Sequence, residues 1–266
     1  MQKRYALIDV LRGICLLSMI AYHTTWDCVN LFRVEWKWFE TPAEFVWQQS
    51  ICWGFVLLAG FCFRLSRHPL RHGMVVFGAG ALVTLVSLFA MADRPVYFGV
   101  LTFMGSVMLL LEGFRKLGKT LSKSDREERF PESEKNNGRG RKSWPRIIGG
   151  IGSFCLFLFL YSIPDGYVGF FTWKLIPMPR FFYANYLTAL LGFPMGGFCS
   201  SDYFPLIPWF FLFLTGYFGS GCLKWERVQR VLEKGHGRIL TWLGRHTLLL
   251  YLLHQPVIYG CLLLIL

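Results

Sequence analysis

ALIDVLRGICLLSMIAYHTTW, residues 6–26, is long enough and apolar enough to cross a bilayer, yet it carries Asp9, Arg12 and His23, with Asp27 just beyond. Ionisable groups in hydrocarbon are costly and rarely face lipid, so their default meaning is a pathway or a reaction site. Eleven residues at 3.6 per turn make almost three whole turns, so Arg12 and His23 fall within roughly 20° of each other and about 16 Å apart along the axis. Asp27 sits one turn beyond His23 on that side, and Asp9 one turn before Arg12. One helix face therefore offers a fixed cation at one depth and an imidazole with a carboxylate neighbour at another.

The rest of the chain extends this reading. Of its 266 residues 54% are hydrophobic and only 17% charged, and repeated continuous apolar runs near the bilayer-spanning length exclude an ordinary soluble domain. Continuous rather than alternating apolarity also excludes a β-barrel. The expected fold is all-α and integral to the membrane, a polytopic bundle of about seven transmembrane helices at 6–26, 44–63, 73–92, 97–114, 147–164, 205–222 and 240–262. On that map 21 of the 28 Lys and Arg lie on one side, which predicts a cytoplasmic N-terminus and an extracytoplasmic C-terminus. The same asymmetry accounts for the net charge of +12: a basic inner surface favours anionic lipid headgroups, and no nucleic acid is called for. The first span is too long and too polar for a signal h-region and lacks a small-residue cleavage site, so it reads as a signal anchor. The expected location is a bacterial plasma membrane.

Two stretches break the pattern of spans. Residues 118–146 combine both charges with almost no aliphatics and read as a flexible cytoplasmic linker within one transmembrane domain, 1–266. Residues 165–204 mix Pro and Gly with many aromatics, which forbids a long helix and argues against disorder, so they read as a folded extracytoplasmic loop. The eight cysteines are scattered singly and mostly read as small apolar fillers; Cys28 and Cys199 fall on the outer side, where a bridge is chemically open. No metal site is expected.

Four groups of residues could carry chemistry. His23 can act near neutral pH as a general base or as a nucleophile that briefly holds an acyl group, with Asp27 placed to receive its Nδ1 proton; the plain alternative is a histidine bonded to a neighbouring helix. Arg12 either snorkels toward the cytoplasm with Asp9 as its ion-pair partner, or grips a phosphate through its guanidinium fork. His254 lies about two turns beyond Arg245 and His246 in WLGRHTLLLYLLHQP, beside the polar notch that Pro256 makes. It is a second base, a substrate-orienting donor or a helix–helix hydrogen bond. Asp202, in SSDYFPLIPWFF, either caps the helix that follows, with Pro205 in its first turn, or aims a carboxylate at the outer mouth of the site.

Five segments in order, DVLRGICLLSMIAYHTTWD, FVLLAGFCFRLSR, FGVLTFMGSVMLLL, SSDYFPLIPWFFLFLTGYFGS and LGRHTLLLYLLHQPVIYG, resemble the catalytic domain of the heparan-α-glucosaminide N-acetyltransferase family. That family is similar in turn to the wider membrane acyltransferases with an Arg-x10-His motif, a spacing that Arg12 and His23 share. The resemblance implies transfer of an acyl group from cytoplasmic acetyl-CoA, as co-substrate, to a hydroxyl or amine of an extracytoplasmic glycan. By it His23 is the catalytic histidine, assisted by Asp27; Arg12 and Arg64 contact the CoA; and Asp202, Tyr203 and His254 lie near the acceptor. Thr102 stands where many relatives carry histidine, and the luminal domain of larger relatives is missing, so a heparan acceptor is not implied. A permease lined by Arg12, His23 and His254, and a non-catalytic anchor, are the competing classes. Neither oligomeric state nor acyl chain length is encoded legibly.

Overall fold

The computed structural model describes residues 5–91, 93–127, 144–171, 173–234 and 237–265. Its helices are α1 (Ala6–Asn30), α2 (Pro42–Phe63), α3 (Pro69–Ala90), α4 (Val100–Glu127), α5 (Trp144–Leu160), α6 (Tyr186–Leu191), α7 (Leu206–Gly219), α8 (Glu226–Glu233), α9 (Arg238–Arg245) and α10 (Thr247–Ile265). A hairpin of β1 (Tyr167–Phe170) and β2 (Trp173–Pro177) lies between α5 and α6. Among the described residues six segments are long and apolar enough to cross a membrane: Ala6–Asn30, Pro42–Phe63, Pro69–Ala90, Trp144–Asp165, Leu206–Leu223 and Thr247–Ile265. Their outward faces are apolar as well: Leu82, Leu85 and Phe89 of α3 and Leu253, Val257 and Leu264 of α10 are all exposed. Helices that are apolar on the outside need a lipid solvent, and the protein is an all-α polytopic membrane protein.

Two spans differ from the expected set. The segment 97–114 lies largely in α4, whose apolar start runs into buried Glu112 and its partner Arg115, with nitrogen–oxygen distances of 2.9 and 3.0 Å. That charge density keeps α4 outside the six. The expected last span, 240–262, is broken at His246. There the His246 ring nitrogen Nδ1 donates to the Trp242 carbonyl at 2.9 Å, and Thr247 Oγ1 donates to the Gly244 carbonyl at 2.9 Å. Local side-chain bonds of this kind compete with helix continuation. The span therefore starts at Thr247, and α9 is a separate amphipathic helix. Helix α4 continues to Glu127 and α5 opens at Trp144; the centre of the expected linker, 128–143, lies outside the described residues.

The chain forms two compact units, Met1–Gly60 with Ser220–Leu266, and Phe61–Gly219. In the first, α1 is central. Leu16, Met19 and Tyr22 on one of its faces pack with Ile51 of α2 and with Leu243, Leu250 and Tyr251 of α9 and α10. Nearer the C-terminal end of α1, Cys28 packs on Ile258 and Leu262 of α10. Cys28 is thus a buried filler, and both it and Cys199 are free thiols rather than a bridge. Tyr22 donates its hydroxyl to Glu44, and Trp47 Nε1 donates to Ser18 Oγ at 2.8 Å, which pins α2 to α1 with polar contacts inside an apolar pair.

In the second unit, α3 and α4 meet backbone to backbone. A Cβ at Gly105 would strike the Phe77 backbone, and one at Gly80 would strike Thr102, so small residues set the approach of these helices. Phe157 of α5 is fully buried against Trp209 of α7, ring centroids 5.6 Å apart. Segment 165–204 is tied down by hydroxyls: Ser162 Oγ donates to the Phe171 carbonyl and Tyr183 to the Ile163 carbonyl, each at 2.6 Å.

Candidate functional site

Helix α1 positions four of the polar groups through its periodicity, and its neighbours decide what each one touches. Toward its C-terminal end the His23 and His254 rings face each other, centroids 5.0 Å apart and tilted by 54°. His254 Nδ1 is bonded to the Tyr251 carbonyl one turn earlier in α10. A carbonyl only accepts, so Nδ1 carries the proton and, in the neutral ring, Nε2 carries the lone pair. That Nε2 is buried without a hydrogen-bond partner, as is Oε1 of the adjacent Gln255. Two buried acceptors without donors therefore lie side by side on α10, one of them on the ring that packs against His23.

The expected hydrogen bond from His23 to Asp27 is replaced by another. Gln255 Nε2 donates to both oxygens of the fully buried Asp27, at 3.0 and 3.2 Å. Helix α10 packs on α1, which brings the Gln255 amide within hydrogen-bond distance of both carboxylate oxygens. Asp27 and Gln255 each neighbour one histidine of the pair, so this clamp holds the two rings in register. Nothing in the spacing of α1 singled out Gln255; the only signal was a polar side chain next to His254 in an apolar run.

At the other end of α1, Asp9 is 5% exposed and bracketed by two arginines. Arg12 Nη1 lies 3.3 Å from Oδ1 and Arg245 Nε lies 3.7 Å from Oδ2. Arg245 arrives on α9, which packs directly on the α1 backbone: a Cβ at Gly244 would overlap the Asp9 carbonyl, and one at Gly13 would overlap that of Leu240. Arg12 is partly buried and Arg245 exposed.

The remaining expected site residues belong to the second unit. Arg64 is exposed in the turn after α2. Asp202 caps a helix, but not the one that follows it: its Oδ2 accepts the Val100 amide of α4 at 3.0 Å. Ile207, with φ −99° and ψ 125°, is extended, so the regular part of α7 starts after it and Pro205 is not in its first turn. Burial pushes the Asp202 carboxyl up to about 6, against the pull of the Val100 amide. Tyr203 donates its hydroxyl to the Ala189 carbonyl at 2.5 Å, and burial pushes its phenol well up, so it remains neutral. Among the described residues no group of His, Cys, Asp and Glu could hold a metal ion.

A bundle of apolar helices with a histidine pair, a carboxylate–amide clamp and an arginine-bracketed aspartate inside it is an integral membrane protein organised around internal polar groups. The sequence matches the family described as heparan-alpha-glucosaminide N-acetyltransferase, catalytic, over residues 4–123 and 153–256, and the chain belongs to that family. The family is one of acetyltransferases, which makes this chain a membrane-bound transferase. No curated protein and no solved structure matches it.

Proposed function

We infer that the protein moves an acetyl group from acetyl-CoA on the cytoplasmic side to a hydroxyl or amine of an extracytoplasmic glycan, with His23 as the catalytic base. The observation that carries this reading is the His23–His254 pair with its buried, unpartnered Nε2. A buried acceptor atom without a donor is costly, and an acceptor O–H or N–H entering beside His23 would satisfy it. His254 then orients the nucleophile. His23 takes the proton as the nucleophile's lone pair attacks the thioester carbonyl. Collapse of the tetrahedral adduct breaks the C–S bond, and the imidazolium returns its proton to the departing CoA thiolate. Asp27 and Gln255 act as positioning residues through the clamp.

Arg12 at the basic end of α1 suits the phosphates of CoA, and its distance of about 16 Å from His23 is comparable to an extended pantetheine arm. Asp202 and Tyr203 brace their own loop, Oδ2 of the one on the Val100 amide and the hydroxyl of the other on the Ala189 carbonyl. The lysine and arginine asymmetry supports an inner entry for the donor.

The test is transfer of labelled acetyl from acetyl-CoA to glycan acceptors by purified protein in proteoliposomes. His23→Ala is expected to abolish transfer, and His254→Phe, which keeps an aromatic ring but removes Nε2 together with the Nδ1–H bonded to the Tyr251 carbonyl, to lower kcat by about a hundredfold or more. Wild-type rates in His23→Ala would refute the assignment of the base.

A further inference from the structure

We propose that Arg245 is a second phosphate-binding residue, forming with Arg12 a two-guanidinium site for the phosphates of the CoA donor, with Asp9 as its built-in counter-anion. The proposal rests on the acyl-CoA reading above and assigns a residue which that reading leaves unused.

Three observations converge. First, both guanidinium groups lie against one carboxylate, Arg12 through Nη1 at 3.3 Å and Arg245 through Nε at 3.7 Å. A guanidinium has five N–H donors in a rigid fork, so most of each fork remains for another anion. Secondly, the arrangement is built rather than incidental. Gly13 and Gly244 bring α9 into backbone contact with α1, and a side chain at either position would push Arg245 away from Asp9. Thirdly, two guanidinium groups converge on one carboxylate, so among the described residues positive charge is in excess at this spot, which suits an incoming dianion. Arg245 is the more exposed member, with 46% of its side chain accessible against 29% for Arg12, so an incoming phosphate can reach it without displacing the helix.

Asp9 gives this geometry its logic. Two unpaired guanidinium groups at this separation would repel and splay, losing the preorganisation that makes bidentate phosphate recognition strong. A buried carboxylate between them holds both forks in place before the ligand arrives. Removing Arg245 leaves Asp9 still paired with Arg12, so the variant does not create a lone buried charge.

The ligand chemistry, a phosphate ester or diphosphate, is shared by CoA and by lipid headgroups, so both are measured. CoA affinity is determined by calorimetry in phosphatidylcholine nanodiscs for the wild type, Arg245→Gln, Arg245→Lys, Arg12→Gln and the double glutamine variant. Bound phosphatidylglycerol is counted separately in anionic discs. Arg245→Gln is expected to raise the Kd for CoA about tenfold or more, with Arg245→Lys in between. The double variant is expected to lose less than the product of the single losses, as for two groups sharing one ligand.

A Kd unchanged in Arg245→Gln, with only Tm lowered, makes Arg245 a strut between α9 and α1 and overturns the proposal. Loss of bound phosphatidylglycerol with CoA affinity intact overturns it in favour of a lipid site. A wild-type protein that binds no CoA sinks the acyl-CoA reading as well, and so separates the two failures.

Discussion

Asp202 stands between two opposing influences. The Val100 amide favours its charged form, while burial favours the neutral one and wins, raising the carboxyl from an ordinary 3.8 to about 6. The folded protein therefore holds this proton more tightly than the unfolded chain. The stability that Asp202 contributes is complete below about pH 4 and is lost as pH rises to about 6, after which it is level. In detergent, the difference in Tm between wild type and Asp202→Asn is expected to drift against the wild type across that interval and to stay constant above it. Equal pH slopes in both proteins would remove the assignment. The pairing with Val100, 102 positions away, could not be read from the chain, where Asp202 sits in the ordinary place for capping the helix after it. Asp27 and Gln255, 228 apart, repeat the lesson. The Asp9–Arg12 contact is different, because two residues three apart on a helix must be neighbours.

Between helices, close approach depends on missing side chains. Gly244 lies against the Asp9 carbonyl with no room for a methyl group, so Gly244→Val is expected to force α9 away from α1. The cost should be about 1–3 kcal/mol, read as a fall in Tm, with CoA affinity falling alongside if Arg245 moves with its helix. Gly152 of α5 has open space where a Cβ would go, and Gly152→Ala is expected to be neutral or to stabilise by up to about 1 kcal/mol. Similar losses at the two positions would mean that the α1–α9 contact can yield to a side chain. The break at His246 belongs with this contact. An unbroken apolar pattern reads as one long span, but local bonds from His246 and Thr247 end α9 where Arg245 meets Asp9.

Across the whole chain, orientation turns on α4. If α4 returns through the membrane, the basic segment 115–146 lies with the N-terminus and segment 165–204 lies on the opposite side. In a cysteine-free background, a membrane-impermeant maleimide applied from outside is expected to label Cys199, restored singly and exposed, and to miss a cysteine placed at position 133 until the membrane is opened. External labelling at 133 would leave α4 on one side, against the parallel run of α10 beside α1 that the Asp9–Arg245 and His23–His254 contacts require.

Hydrophobic runs and helical periodicity were enough to specify an all-α membrane bundle and which side chains share a face of α1, though not where the last span begins. Backbone polar groups must be satisfied inside lipid, so a continuous apolar run has one folded solution, and 3.6 residues per turn then decides which side chains share a side. Which groups meet across the bundle was settled by packing. Gln255 reaches Asp27, Arg245 joins Arg12 on Asp9 and Asp202 caps α4 because glycines and broken helices bring distant segments within a few ångströms, and no local period encodes those distances.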